Sequence, residues 1–214
     1  MPSEICHDTR FDRVYEISQQ SISHEFLDTF IDNKKCIVFG STWPKDEKLI
    51  FEIIDSLKDY KLIIAPHNTN EKDIYQTKKL FQQDSILYSN RNLYKNESIL
   101  IIDNIGMLAS VYKKACIAYI GGGFDVSVHN VLEAAVYEIP VLCGPNTQKS
   151  IEAIALKAAQ SLFIIHDGKM LGEQIEKLMR NENNRKKIGL INSKYVFERL
   201  GGTEKILNYF EEKI

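Results

Sequence analysis

Three consecutive glycines, Gly121, Gly122 and Gly123, follow the apolar run CIAYI, and a segment of helical character comes after them. Glycine tolerates positive φ and lets backbone N–H groups approach a ligand closely. The start of a helix adds free N–H groups and the positive end of the helix dipole. This combination is typical of an anion site, most naturally for phosphate, although a tight turn without a ligand has the same composition.

Three polar residues follow the glycines. His129 and Asn130 are expected at the start of the helix, and Glu133 lies three residues beyond Asn130 on the same helix face. An imidazole N–H donates well to phosphate or carboxylate, and a carboxylate accepts hydrogen bonds from the two hydroxyls of a ribose. The alternatives are a structural histidine and a carboxylate that only favours the helix start.

Two other turns directly follow apolar runs. Ser41 and Thr42 come after Gly40, and they either cap the helix after Pro44 or donate their hydroxyls to a phosphate or a sugar. The turn 103–108, DNIGML, is suited to holding a flat base through backbone hydrogen bonds.

Short β-branched runs alternate with helical segments and supply the framework for these turns. The runs are KCIVFG, YKLIIAP, SILIID, CIAYIGG, IPVLCG and SLFIIH. Strands that are apolar on both faces indicate a parallel sheet covered by helices on both sides. Segment 43–60 predicts a surface helix, and the chain from 169 onward reads as helix with breaks near 181–184 and 201–202. The sequence therefore predicts an α/β fold, a doubly wound parallel sheet in one domain over 1–214, with ligands beyond the carboxyl ends of the strands.

Composition excludes several classes of function. With 27 basic and 29 acidic side chains the formal net charge is -2, so a nucleic-acid partner is not expected. No apolar run approaches the roughly 18 residues of a membrane span, and we expect a soluble, cytosolic chain. The four cysteines show no CxxC spacing, and we expect neither disulfides nor zinc.

The ordered motifs DTRFDRV, GSTWPKDE, IIAPH, DNIGML, YIGGGF and HNVLEAAVY together resemble the C-terminal half of the Kdo transferases. These enzymes transfer 3-deoxy-D-manno-octulosonic acid (Kdo) from CMP-Kdo to the lipid A precursor of lipopolysaccharide. The family is similar to other GT-B glycosyltransferases, which have two Rossmann-like domains. The resemblance implies that this chain is the donor domain alone and that the N-terminal acceptor domain, with its membrane anchor and catalytic base, is absent.

The resemblance also assigns roles to individual residues. The glycines Gly121, Gly122 and Gly123, with His129 and Asn130, would hold the CMP phosphate and the sugar acid, and Glu133 would bind the ribose. The remaining donor-site residues would be Arg10 for the carboxylate or phosphate, Ser41 and Thr42 for the phosphate, and Pro66, His67, Ile105, Gly106 and Met107 around the cytidine.

The implied reaction is an inverting displacement at the anomeric carbon. Donors aimed at the departing phosphate stabilise the charge that grows on it, so no metal and no cofactor are expected. The parent enzyme would act at the cytoplasmic face of the inner membrane, and the isolated chain would be inactive because it lacks the base. The alternatives are a GT-B transferase or epimerase that uses a UDP-sugar, and a stand-alone nucleotide-binding module.

Four residues depart from the family pattern. His7, Asp125, Ser127 and Glu138 stand where relatives often have glycine. A carboxylate at position 125 would repel a bound phosphate unless it points to solvent or binds a sugar hydroxyl. These departures put the geometry of the donor loop in question more than the fold.

Overall fold

The computed structural model describes residues 6–20, 24–82 and 84–211. Seven strands in these ranges form one parallel sheet in the order β3-β4-β2-β1-β5-β6-β7. The strands are β1 (Cys36–Thr42), β2 (Lys61–Pro66), β3 (Ser85–Leu87), β4 (Ile99–Ile101), β5 (Ile117–Ile120), β6 (Val141–Cys143) and β7 (Leu162–Ile164). The six predicted strands are confirmed, and the edge strand β3 is one that the sequence analysis missed.

Helices cover both faces of the sheet. They are α1 (Arg10–Gln19), α2 (Glu25–Ile31), α3 (Pro44–Glu52), α4 (Glu71–Leu80), α5 (Leu108–Val111), α6 (Leu132–Ala135), α7 (Ile151–Ala158), α8 (Gly168–Arg180), α9 (Glu182–Phe197) and α10 (Gly202–Glu211). The breaks predicted near 181–184 and 201–202 are confirmed. None of the helices in the described ranges has the length and apolarity needed to cross a bilayer.

Successive residues of β1 enter two different cores because side chains alternate along a strand. Cys36 and Val38 pack with α1, α2 and α6, whereas Ile37 and Phe39 pack with α3 and α8 on the other face. Apolar side chains on both faces are what a doubly wound parallel sheet requires. The predicted Rossmann-like fold is therefore confirmed.

The helix predicted over 43–60 is shorter than expected. Regular α-helix ends at Glu52, and a 3-10 turn over Ile54–Leu57 follows. At the junction Ile53 has φ -108 and ψ 4, and its N–H donates to the carbonyl oxygen of Ile50. The apolar side of this segment continues across the break, because Ile50 before it and Leu57 after it are both buried in the same core.

Glu138, in the turn between α6 and β6, has φ 59, which is the left-handed region that favours glycine. Replacing it by glycine should raise the free energy of unfolding by about 0.5 to 1 kcal/mol, because the steric cost at this φ exceeds the added entropy of the unfolded chain. Urea unfolding followed by circular dichroism measures the change. Glu173→Gly in the exposed face of α8 is the control, with an expected loss of about 1 kcal/mol. A loss at both positions would contradict the strain at Glu138.

Candidate functional site

The order of the strands reverses between β1 and β5, which pair directly. From β1 the chain continues to β2 on one side, and from β5 it continues to β6 on the other. Such a switch point opens a crevice beyond the carboxyl ends of the two strands, and ligands of open α/β sheets bind there. The turns that follow β1 and β5 contain most of the predicted site residues.

β1 ends irregularly at this crevice. Its register with β2 shifts between Gly40 and Thr42, and Ser41 between them has φ 52. A non-glycine residue in this region is strained by about 1–3 kcal/mol and persists only where its surroundings hold it. The carbonyl group of Ser41 lies against the Cα of Gly121, where a Cβ would overlap it. Position 121 therefore requires glycine for close backbone packing.

Asp46 organises the crevice, although no sequence pattern singled it out as a site residue. Its carboxylate is fully buried and accepts from the Tyr119 hydroxyl at 2.6 Å, the Trp43 N–H at 2.9 Å and the Gly122 N–H at 3.0 Å. Burial raises the pKa of Asp46, and these three donors oppose that rise. The carboxylate thus ties the turn after β1 to the glycine turn after β5.

The capping role offered for Ser41 and Thr42 is wrong. The N-cap of α3 is Trp43, and in the described part of the chain neither preceding side chain accepts a hydrogen bond from a backbone N–H of the first helical turn. The buried Thr42 hydroxyl instead donates to Oε1 of Glu47 at 3.1 Å, and Thr77 donates to Oε2 at 2.9 Å. Burial raises the pKa of Glu47. The hydroxyl of Thr42 is therefore already bonded within the protein.

The glycine amides are also used differently from the prediction. The N–H of Gly121 donates to Gly40, and that of Gly122 donates to Asp46, so the expectation that both face an anion is wrong. Gly122 has φ 88, and the backbone of Gly123 packs directly on Gly144. The triplet is built for close packing of backbone at the end of β5.

The predicted helix start after the glycines lies further along the chain. α6 begins only at Leu132 and has four residues, so His129 and Asn130 lie in the loop before it. The cause is tertiary, because the N–H of His129 bonds to the Gly121 carbonyl and holds residues 121–129 in a closed loop. A single helical turn has little dipole, and side chains are the remaining donors for an anion.

Trp43, His67 and His129 form an aromatic cluster at the crevice. The indole Nε1–H of Trp43 donates to Nε2 of His129 at 2.9 Å, and the two rings are nearly coplanar, with an interplanar angle of 2°. His67 stacks on both, with ring centroids 4.8 Å from Trp43 and 4.2 Å from His129. Burial and the neighbouring His67 lower the pKa of His129, which favours the neutral form of its ring.

Asn130 and Glu133 are held together. Nδ2 of Asn130 donates to Oε1 of Glu133 at 3.2 Å, and Oδ1 of Asn130 accepts from the N–H of Leu132. Burial raises the pKa of Glu133, and the bond from Asn130 partly opposes this rise. Among the described residues no hydrogen bond reaches Oε2 of Glu133, which keeps its full capacity as an acceptor.

The turn predicted to hold a base is only partly open. Ile105 is 88% exposed and Gly106 has φ 97, but Met107 is buried in the core and its carbonyl oxygen accepts from Ser110 and Val111. On the facing turn Pro66 is buried, and the N–H of His67 donates to the carbonyl oxygen of Thr42.

Arg10 is bound to two carboxylates. Its guanidinium contacts Asp8 at 3.0 Å and the buried Glu152, at the start of α7, at 2.6 Å. No ion pair or hydrogen bond in the described part of the chain joins Arg10 to the glycine turn. A donor carboxylate would have to displace one of these partners.

The residues that depart from the family pattern fit their positions. His7, Asp125 and Ser127 all have negative φ, so none of them needs glycine for its backbone, in contrast to Glu138. Oδ1 of Asp125 pairs with Nζ of Lys45 at 2.7 Å, and Lys45 also donates to the carbonyl oxygen of Phe124. The carboxylate that would repel a phosphate is thus neutralised by a cation from α3.

This chain is similar to known proteins both in its sequence and in its structure. No protein-family model matches it. The 3-deoxy-D-manno-octulosonic acid transferase of Rickettsia prowazekii is 31% identical over 179 residues, which cover 80% of this chain and 38% of the transferase. The chain is a homologue of these transferases. It spans about two fifths of the length of this relative.

Two solved structures share the fold. The C-terminal CMP-Kdo binding domain of WaaA from Acinetobacter baumannii has a TM-score of 0.67 and 15% identity, covering 90% of this chain and all of that domain. UDP-GlcNAc 2-epimerase from Neisseria meningitidis, bound to UDP-GlcNAc, has a TM-score of 0.59 and 16% identity, covering 94% of this chain and 55% of that chain. The chain therefore has the fold of the C-terminal half of a GT-B glycosyltransferase.

Proposed function

We propose that the chain is the CMP-Kdo-binding domain of an inverting glycosyltransferase that transfers Kdo to the lipid A precursor in lipopolysaccharide synthesis. The observation that carries the proposal is the group His129, Asn130 and Glu133 beside the β1–β5 switch point, in a homologue of the Kdo transferases. A neutral imidazole, an amide and a half-buried carboxylate with a free oxygen supply the donors and the acceptor that a sugar nucleotide needs.

Each residue has a definite role in this proposal. His129 donates to the phosphate of CMP or to the sugar acid, and Oε2 of Glu133 accepts from the ribose hydroxyls. The exposed Ile105 and Gly106 lie against the cytidine with His67 opposite.

Other residues of the site shape or support it. The turn after β5 is shaped by Gly121, Gly122 and Gly123, whose amides do not bind the anion in this proposal, and Ser41 contributes its hydroxyl to the ligand. The surrounding elements are supported, through the contacts described above, by Arg10, Thr42, Pro66 and Met107.

The mechanism follows from the charge that develops at the donor. As the bond from the anomeric carbon to the phosphate oxygen breaks, negative charge grows on CMP, and a fixed N–H donor stabilises it more than it stabilises the bound donor. The acceptor hydroxyl must lose its proton to a base, which the proposal places in a second, N-terminal domain. That domain would also bind the lipid A precursor and associate with the cytoplasmic face of the inner membrane.

A second candidate is the donor-binding half of an enzyme that uses a UDP-sugar. It is favoured by the shared fold with an epimerase bound to UDP-GlcNAc. Both candidates use a carboxylate for the ribose, so the base and the sugar must distinguish them. A stand-alone nucleotide-binding module would bind the nucleotide equally well. It would differ from both enzymes because no sugar would be transferred, whatever second domain or subunit were combined with it.

Titration with nucleotides tests the proposal. We expect CMP to bind the chain more tightly than UDP and to shift the backbone amide signals of residues 105–107, 121–123 and 129–133. Glu133→Gln should weaken CMP binding about tenfold or more, because a hydrogen bond to a charged group is worth about 1.5–3 kcal/mol. Isothermal calorimetry and NMR measure the two effects.

The control is Glu173→Gln on the exposed face of α8, which should leave CMP affinity unchanged. Tighter binding of UDP than of CMP would favour the second candidate. Equal loss of affinity in both glutamine variants would show that the effect is one of overall charge and would remove Glu133 from the site.

A further inference from the structure

The indole of Trp43 makes a hydrogen bond that has a chemical consequence for His129. An indole N–H can only donate, so Nε2 of His129, 2.9 Å away, must be the acceptor. A neutral imidazole with Nε2 unprotonated carries its proton on Nδ1. We infer that Trp43 is a positioning residue that fixes His129 as the Nδ1–H tautomer and thereby decides which ring nitrogen donates to the ligand.

Both partners of this bond are held by their own backbones. The N–H of Trp43 donates to the buried carboxylate of Asp46, and the N–H of His129 donates to the carbonyl oxygen of Gly121. The Cδ2–Nε2 edge of the imidazole lies close to Gly122, where an added Cβ would come within 2.9 Å of Cδ2. Because a side chain at position 122 would press on the ring, glycine there leaves the space that the imidazole occupies.

The stack fixes the ring plane as well. Trp43 and His129 lie side by side in one plane, and His67 covers both at 18° to each. Rotation of the His129 ring about χ2 would break the bond to Trp43 and the contact with His67 together. The orientation of the ring, and not only its tautomer, is therefore set before a ligand arrives.

The N–H at Nδ1 of His129 is the ring donor that remains available to a ligand. In the described ranges no hydrogen bond reaches Nδ1 of His129, whereas Nε2 is occupied. Protonation of Nε2 would bring two donors face to face, so the ring offers a single N–H and no net charge. This consequence rests on the proposed function, in which the N–H is directed to the phosphate or carboxylate of the donor.

The chain contains one tryptophan, which makes the test direct. The single indole N–H signal reports the hydrogen bond, and long-range ¹H–¹⁵N spectra of ¹⁵N-labelled histidine report the tautomer of His129. We expect the Nδ1–H pattern in the free wild-type chain. Trp43→Phe removes the donor, and we expect the Nδ1–H pattern to be lost and CMP affinity to fall about tenfold, as for one hydrogen bond to a charged group.

A second variant keeps the test valid if the Trp43→Phe chain does not fold. Replacement of Trp43 by β-(3-benzothienyl)alanine keeps the shape of the indole and removes only the N–H, and the same change of tautomer is expected. His67→Phe is the control for stacking, since it retains an aromatic ring over the pair and should leave the Nδ1–H pattern in place.

The outcomes separate this inference from the proposed function. An Nε2–H pattern in the wild type, or an Nδ1–H pattern that survives in both Trp43 variants, overturns it whether or not CMP binds. A changed tautomer with unchanged CMP affinity overturns the role of Trp43 in aiming the donor. A changed tautomer in a chain that binds no CMP supports the control of the tautomer and contradicts the proposed function instead.

Discussion

The Asp46→Ala variant is expected to lose about 3 kcal/mol of unfolding free energy, the largest effect of any single side-chain truncation at the crevice. The carboxylate is fully buried and accepts from Tyr119 in β5, from Trp43 in the turn after β1 and from Gly122 in the turn after β5. Truncation leaves these three donors without a partner, two of them buried, and each unsatisfied buried group costs about 1–3 kcal/mol, reduced where water enters the gap. Guanidinium unfolding followed by circular dichroism measures the loss.

Two further variants are needed to interpret the result for Asp46→Ala. Asp46→Asn keeps one carbonyl oxygen but places an NH₂ group opposite a donor, so we expect a smaller loss of about 1–2 kcal/mol. Asp55→Ala is the control, since its carboxylate is 86% exposed and pairs with Lys58 on the surface, and its loss should stay below about 0.5 kcal/mol. If Asp46→Ala costs no more than Asp55→Ala, Asp46 does not join the two turns.

A second large effect is expected at Gly189, in the middle of α9. A Cβ at this position would overlap the carbonyl group of Glu138, which is backbone and cannot turn aside. The helix must move away from the turn before β6, and overpacking of this kind costs about 3 kcal/mol. We therefore expect Gly189→Ala to lower the midpoint of urea unfolding sharply, although alanine favours helix more than glycine does.

Gly172 in α8 is a matched control with the opposite expected sign. It is also a glycine within a helix, but a Cβ there would meet its nearest neighbour, Cγ2 of Ile53, at an ordinary 3.5 Å. Gly172→Ala should therefore raise the free energy of unfolding by up to about 1 kcal/mol through helix propensity. Stabilisation by both alanines would contradict the close packing of α9 on Glu138.

The strands and helices of this fold could be predicted from the sequence because the patterns that indicate them lie within short stretches of the chain. Runs such as CIVFG and KLIIA are apolar on both faces, and this pattern already implies a covered parallel sheet. Strand β3 escaped notice because only one of its three residues, Ile86, is a buried apolar residue. The equally short strands β4 and β6 could be recognised because all three of their residues are buried and apolar.

The sequence predicted which turns meet at the switch point but not how they are bonded to each other. The turns after β1 and β5 could be recognised from Gly40 and the glycine triplet. The bonds of Asp46 to Tyr119 and Gly122 join residues more than 70 positions apart, and no local pattern reports them. The Asp46 carboxylate accepts from the Gly122 amide, the Gly40 carbonyl oxygen accepts from the Gly121 amide, and the bond from His129 to Gly121 delays the start of α6. The anion cradle expected from the glycines therefore does not form as a row of free amides.

The sheet consists of two halves, and the described strands join them through a single pairing. Strands β1 to β4 come from residues 36–101 and strands β5 to β7 from residues 117–164, and β1 with β5 is the seam between them. Pairings within each half close short loops, whereas the seam brings together residues as distant as Ile37 and Ile117, at a higher cost in chain entropy. During synthesis the strands of the first half are made before those of the second. The crevice lies on the seam, so the proposed binding site forms only when the two halves meet, and a chain stalled before that point would have no site.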